Sequence, residues 1–407
     1  MSVAQNENPM SQSSPQSEYK ERVYFPNLDG LRFIAALLVI IHHVEQLKSI
    51  YGMPNHWNSA FVQIIGEQGV VLFFVLSGFL ITYLLLEEEK TTSTINVKNF
   101  YLRRVLRIWP LYFLIVLLSL LILPRIPMFV LPDFDNEYVY RHLLKKILLF
   151  LFFLPNLVSP LAGIVPYASQ TWSIGTEEQF YLAWPVVMKY IKKNRIALML
   201  LIIFGYIFVA RVLYSSRTDF LPFKGYINTF WLVFNIDCMA IGGLFAILLH
   251  SKLKVLKYFN NNFVFYASLA ILYYMMSKGI LIKHLYKESY ALFFGILILN
   301  FASNRNIHIN LEIPFLKYLG KISYGLYMYH PIGIVLALTL VRSVGLSTDY
   351  VIYPLSLALA IGMAALSYRY FESFFLKFKT NYSTVESGDD TTTREKSNLL
   401  LKKPAPQ

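Results

Sequence analysis

The sequence predicts an all-α, polytopic membrane bundle of about ten transmembrane helices plus one short re-entrant or interfacial segment. Three observations predict it. First, 56% of the 407 residues are hydrophobic and only 15% are charged, against roughly 45–50% and about 25% in ordinary soluble domains. Second, the apolar residues gather into recurrent runs between residues 31 and 376. Most approach the roughly 20 residues that a helix needs to cross a hydrocarbon core about 30 Å thick. Third, the formal charge of +13 sits in short Lys/Arg clusters between those runs, the pattern that orients membrane helices. Nucleic acid is therefore not an expected partner. The single cysteine, Cys238, excludes a disulfide framework and a cysteine-based zinc site, and no metal site is expected.

In chain order the runs cover about 31–50, 68–86, 107–123, 144–157, 177–191, 196–214, 229–250, 261–277, 286–303, 320–341 and 350–376. Residues 1–22 are polar and rich in Ser, Gln, Glu and Asn, which reads as a disordered cytoplasmic tail. They lack the basic start and apolar core of a secretory signal. Residues 380–407 read the same way, leaving 23–379 as the membrane domain, with no internal repeat. Basic clusters stand at Arg103/Arg104/Arg107, Lys189–Arg195, Lys252–Lys257 and Lys377/Lys379. They share the cytoplasmic side only if 144–157, short and interrupted by Pro155, does not cross. Ten crossings with both termini cytoplasmic follow; Arg125, Arg141, Lys145 and Lys146 then fall outside.

Ionisable groups at membrane depth are costly and usually face a cavity or a partner. In Leu28-Asp29-Gly30-Leu31-Arg32 and the helix beyond it, Arg32 and His43 are eleven residues apart and differ by only ~20° around the axis. His42 lies ~80° away from Arg32 and points elsewhere. Asp29 and Arg32 at i,i+3 also suit a plain interfacial ion pair. A membrane-embedded His has a second use, as a base near neutral pH. Ser77 and Gly78 read as helix packing. Arg103, Arg104 and Arg107 form a cationic edge, either a topological anchor or a phosphate dock. In Thr171-Trp172-Ser173-Ile174-Gly175-Thr176-Glu177-Glu178, two carboxylates open an apolar run, where acids also suit a helix N-terminus. Ser323, Tyr327 and His330 make one polar stripe down a helix.

These stretches, LDGLRFIAALLVIIHH, GVVLFFVLSGFLIT, RRVLRIWPLYF, TWSIGTEEQFYLAWP and ISYGLYMYHP, together resemble the acyltransferase-3 family of integral membrane O-acyltransferases over about residues 25–376. Val71 departs from the polar residue common at its position, and the closing SYRYFE lacks a following proline. The resemblance implies about ten transmembrane helices. It also implies transfer of an acyl group, commonly acetyl, from acyl-coenzyme A to a hydroxyl of a cell-surface carbohydrate or glycolipid precursor. Acyl-coenzyme A is thus the expected donor co-substrate, with no tightly bound cofactor, and the expected home is a bacterial inner membrane.

The family's Arg…His pair maps onto Arg32 and His43, its arginine motif onto Arg104 and Arg107, and its Trp-Ser…Glu motif onto Trp172, Ser173, Glu177 and Glu178. Acyl transfer needs a base and oxyanion donors. The expected arrangement has Arg103, Arg104 and Arg107 on the nucleotide phosphates and a cavity lined by Arg32 leading to His43 as base. Glu177 orients His43 or the acceptor. Ser173, Glu178, Ser323, Tyr327 and His330 support catalysis or substrate. The rival reading is a polytopic transporter or flippase of a glycan or lipid-linked substrate, which shares the buried ionisable groups but performs no chemistry.

Overall fold

The computed structural model describes residues 22–215, 220, 222–283, 285–345, 348–383 and 385–387. Of the tails expected at 1–22 and 380–407, residues 1–21, 384 and 388–407 lie outside the described residues. Helices follow as α1 Leu28–Ile50, α2 Ala60–Thr92, α3 Val97–Leu117, α4 Asn136–Tyr140, α5 Leu143–Leu151, α6 Val158–Ala162, α7 Trp172–Tyr190 and α8 Arg195–Tyr214. Then come α9 Lys224–Phe234, α10 Ile236–His250, α11 Leu256–Phe259, α12 Asn262–Lys278, α13 Tyr286–Ser303, α14 Pro314–Lys321, α15 Ser323–Ser343, α16 Asp349–Ser367 and α17 Ser373–Lys379.

Long helices stand at every apolar run except one. The runs beginning at Leu28, Ala60, Val97, Arg195, Lys224, Ser323 and Asp349 are each long and apolar enough to cross a membrane. The chain is an all-α polytopic helical bundle. The exception is the run at 144–157, where α5 has nine residues, a rise of about 13 Å. It stops before Pro155, which opens a 3-10 turn. Leu144, Leu148, Leu151 and Phe152 face outward from it, while Lys146 turns inward onto the carbonyl oxygens of Tyr138 and Val139.

The ordered chain continues past residue 379. Thr380–Tyr382 form a further 3-10 turn, and Glu386–Ser387 (β2) pair in parallel with Arg22–Val23 (β1). Arg103 donates to the Tyr382 carbonyl at 2.7 Å and so holds this stretch down. The polar composition that reads as tail carries no sign of that backbone contact.

α2 runs through the centre and packs most extensively on α10 and α1. Glycines permit the approach to α10. A Cβ on Gly78 would lie 2.0 Å from the Met239 carbonyl oxygen, and one on Gly242 would lie 2.1 Å from that of Val75. At the end of α2, three consecutive acids each take a different helix. Glu87 bonds His250 of α10 at 3.0 Å, Glu88 bonds Arg103 of α3 at 3.1 Å, and Glu89 bonds Arg195 of α8 at 2.7 Å. At the far end of α1, buried Lys48 bonds Glu45 at 2.7 Å and Asp349 of α16 at 2.6 Å.

The start of α1 is pinned by one carboxylate. Glu312 accepts from the Tyr24 hydroxyl and, at 2.6 Å, from the Asn27 amide. Asn27 has left-handed backbone (φ 67°) and its side-chain oxygen accepts from the Leu311 amide at 2.7 Å. That anchorage fixes where Asp29 and Arg32 enter the bundle.

Candidate active site

Two cavities lie back to back in the bundle. The first, with a volume of about 170 Å³, is cationic: Arg32 of α1, Arg104 and Arg107 of α3, and Lys379 of α17 line it. Asp29 and Glu177 are the acids on its wall. Arg32 bonds Asp29 at 2.8 Å across one helical turn. The Arg104 guanidinium lies over the rings of Phe100 (5.6 Å) and Tyr181 (5.5 Å), favourable positions for a cation on an aromatic face. Its Nε is buried without a hydrogen-bond partner. Glu177 accepts from the Tyr181 hydroxyl at 2.9 Å, and Tyr181 also bonds Ser77.

The second cavity, about 480 Å³, is lined by His43 and Gln46 of α1, Gln170, Trp172, Thr229 of α9 and apolar and prolyl side chains. His43 Nδ1 lies 2.9 Å from the Val39 carbonyl oxygen. A carbonyl only accepts, so that nitrogen carries the proton, and the Nε2 of the neutral ring holds the lone pair. His330 is fixed in the same tautomer by the Tyr327 carbonyl at 2.7 Å. The two rings are 4.8 Å apart. His330 is fully buried, and its Nε2 has no partner.

Ser173, Tyr327 and Gln170 form a wall between the cavities. Ser173 lines the cationic cavity, while its neighbour Trp172 lines the histidine cavity. The Ser173 and Tyr327 hydroxyls are 2.7 Å apart, and Tyr327 donates to the Gln170 carbonyl at 2.9 Å. Phe73 packs edge-on against the Tyr327 ring at 5.8 Å. The helix geometry explains the wall: residue 172 opens α7 and residue 327 lies one turn into α15, so both helices present polar side chains at the same level.

The family profile described as an acyltransferase domain, acyltransferase-3, matches residues 25–369. The chain belongs to the acyltransferase-3 family. A Staphylococcus aureus (strain COL) protein described as a candidate O-acetyltransferase is 28% identical over 404 residues, covering 90% of this chain. The peptidoglycan O-acetyltransferase of Listeria monocytogenes is 28% identical over 229 residues, covering 51% of this chain and 32% of that protein. A Bacillus subtilis protein described as a candidate peptidoglycan O-acetyltransferase is 31% identical over 183 residues, 42% of this chain and 25% of that protein. The chain spans 60% of the length of the staphylococcal relative. No solved structure matches it.

Within this acyltransferase-3 chain, the expected site residues gather around the wall, with three differences. Arg32 and His43 do not share one cavity. They lie on one face of α1, but eleven residues are a rise of ~16 Å, and the wall comes between them. Glu177 does not accompany His43 either. Trp172 reaches the histidine cavity, and Glu177, about 7.5 Å further along the helix, turns into the cationic one. Arg103 does not line the cationic cavity itself but a smaller one beside it, together with Arg104 and Lys379, and it bonds Glu88 and the Tyr382 carbonyl.

Ser323 and Tyr327 line the cationic cavity, and His330 sits behind the wall. Glu178 accepts from Trp109 Nε1 at 2.9 Å and braces α7 against α3. His42 faces away, with Nδ1 2.7 Å from the Val62 carbonyl oxygen and its ring against Trp57. Sequence reasoning missed Tyr181 and treated Ser77 as packing alone. Tyr181 carried a signal, its i+4 spacing from Glu177.

Proposed function

We propose that this multi-pass membrane protein is an O-acyltransferase. It moves a short acyl group, acetyl above all, from acyl-coenzyme A to a hydroxyl of a cell-surface carbohydrate or its glycolipid precursor. The observation that carries the reading is the pair of adjoining cavities, cations on one side of the wall and an imidazole with an available lone pair on the other. Coenzyme A is heavily phosphorylated, and guanidinium forks match phosphate oxygens, so Arg104, Arg107 and Arg32 receive the donor. The cationic cavity then faces the cytosol of a bacterial cell. The β1–β2 pair beside it supports a cytosolic position for both ends of the described chain, with α5 towards the opposite face.

The acceptor enters the histidine cavity. With the wall side chains turned aside to let the acyl end of the donor through, His43 Nε2 takes the hydroxyl proton as that oxygen attacks the thioester carbonyl carbon. The hydroxyls of Tyr327 and Ser173, turned from the Gln170 carbonyl that they meet in this structure, supply donors to the oxyanion. The carbon–sulfur bond then breaks, and the imidazolium returns the proton to the departing thiolate. His330, with its own Nε2 lone pair, stands ready to accept from protonated His43. The O-acetyltransferase names of the relatives support the chemistry. The test is labelled acetyl-coenzyme A offered to purified protein with a glycan acceptor. His43→Ala loses product formation at unchanged expression, and full activity in that variant removes the mechanism.

A further inference from the structure

The two cavities differ in charge as well as position. Four basic and two acidic side chains line the cationic one. Among the described residues that line the histidine cavity there is no Asp, Glu, Lys or Arg. Its polar groups are neutral: Gln46, Ser169, Gln170 and Thr229 among them, beside the aromatic face of Trp172. The side-chain oxygen of Gln170, a residue 2% exposed, is buried without a partner, while its amide nitrogen is held by the carbonyls of Tyr167 and Met328. The volume of about 480 Å³ falls in the range of small-molecule sites, roughly 300–1,000 Å³.

We propose that the histidine cavity is an acceptor site selective for uncharged hydroxyl compounds, and that it excludes acceptors bearing carboxylate, phosphate or sulfate. This deepens the acyl-transfer reading and rests on it for the word acceptor. The physical reason is desolvation. An anion moved from water into this cavity meets no counter-charge among the described residues, and the effective penalty is several kcal/mol. A neutral polyol exchanges its water for Gln46, Ser169 and Thr229, and lays its apolar face on Trp172. The same contrast keeps the donor's phosphates on their own side of the wall.

Substituted-cysteine labelling of the purified full chain in detergent tests this without knowledge of the natural acceptor. Cys238, the single native thiol, is buried, and Cys238→Ala provides a silent background. Gln46→Cys on α1 and Thr229→Cys on α9 place a thiol in the histidine cavity on two different helices, and Ser323→Cys places one in the cationic cavity. Each reacts with two methanethiosulfonates of similar size, neutral 2-hydroxyethyl and anionic 2-sulfonatoethyl, with rates divided by those for free 2-mercaptoethanol. At Gln46→Cys and Thr229→Cys the neutral reagent is expected to be faster by about tenfold or more. At Ser323→Cys the anionic reagent is expected to be the faster. Equal rates, or a faster anionic reagent, in the histidine cavity overturn the proposal. So does silence towards both reagents, because the site is then closed to water-borne acceptors. Acetyl-coenzyme A consumption by the chain with its native thiol reports separately on acyl transfer, so the two readings fail independently.

Discussion

His42 and His43 are neighbours with different surroundings, and the difference is angular. One residue further along α1 turns the ring from Val62 and Trp57 to the second cavity and His330. Arg103 and Arg104 repeat the lesson at the other end of the site. Charge-assisted hydrogen bonds are worth about 1.5–3 kcal/mol. Arg104→Gln or Arg107→Gln is therefore expected to raise KM for acetyl-coenzyme A by about tenfold to a hundredfold, measured by steady-state thioester consumption. Arg103→Gln is expected to leave that KM near its starting value and to lower the melting temperature instead, since its partners are Glu88 and the Tyr382 carbonyl. A rise in KM for Arg103→Gln equal to that for Arg104→Gln places all three on the donor.

At the scale of elements, two contacts set the positions on which the site depends. The α2–α10 approach leaves no space for a Cβ at Gly78, where the obstacle is backbone rather than a movable side chain. Overpacking of that kind costs about 1–3 kcal/mol, so Gly78→Ala is expected to lower the thermal midpoint in detergent, and an unchanged midpoint contradicts the close packing. The second contact is the Glu312 anchor of α1. Burial pushes its carboxyl up, but the bonds from Tyr24, the Asn27 amide and Lys317 outweigh burial and hold it below the ordinary 4.5. A lowered native value means stability that is present above pH 4.5 and lost as pH falls through the lowered value. Glu312→Gln is expected to flatten the acid limb of the melting-temperature profile; an identical limb in both proteins removes this contribution.

The elements themselves were legible because their cause is local. Continuous apolar runs specify helices, and Pro155 with a short run marks α5 as the one that stops early. The rest depended on contacts between distant segments. Nothing in the spacing of Arg32 and His43 announces that α7 and α15 meet between them. Nothing in the composition of residues 380–387 announces the Tyr382 carbonyl that Arg103 grips. The acids Glu87, Glu88 and Glu89 read as one hydrophilic end, and only the packing shows three separate tethers.

For the whole molecule, the proposed orientation puts the cationic cavity and both terminal strands on one face. A reporter fused after Lys193 is expected to read cytoplasmic, and one after Arg141 extracytoplasmic. The opposite result after Lys193 inverts the topology and strands the donor cavity on the wrong side. The wall between the cavities has one more consequence. A thioester is open to hydrolysis, and an enzyme joining a cytosolic activated compound to an external one risks squandering it in futile turnover. With Tyr327, Ser173 and Phe73 shut, outside moisture meets a barrier before it meets the donor. Under the proposed acyl transfer, the partition would thereby select against the commonest hydroxyl in the cell envelope, that of water itself.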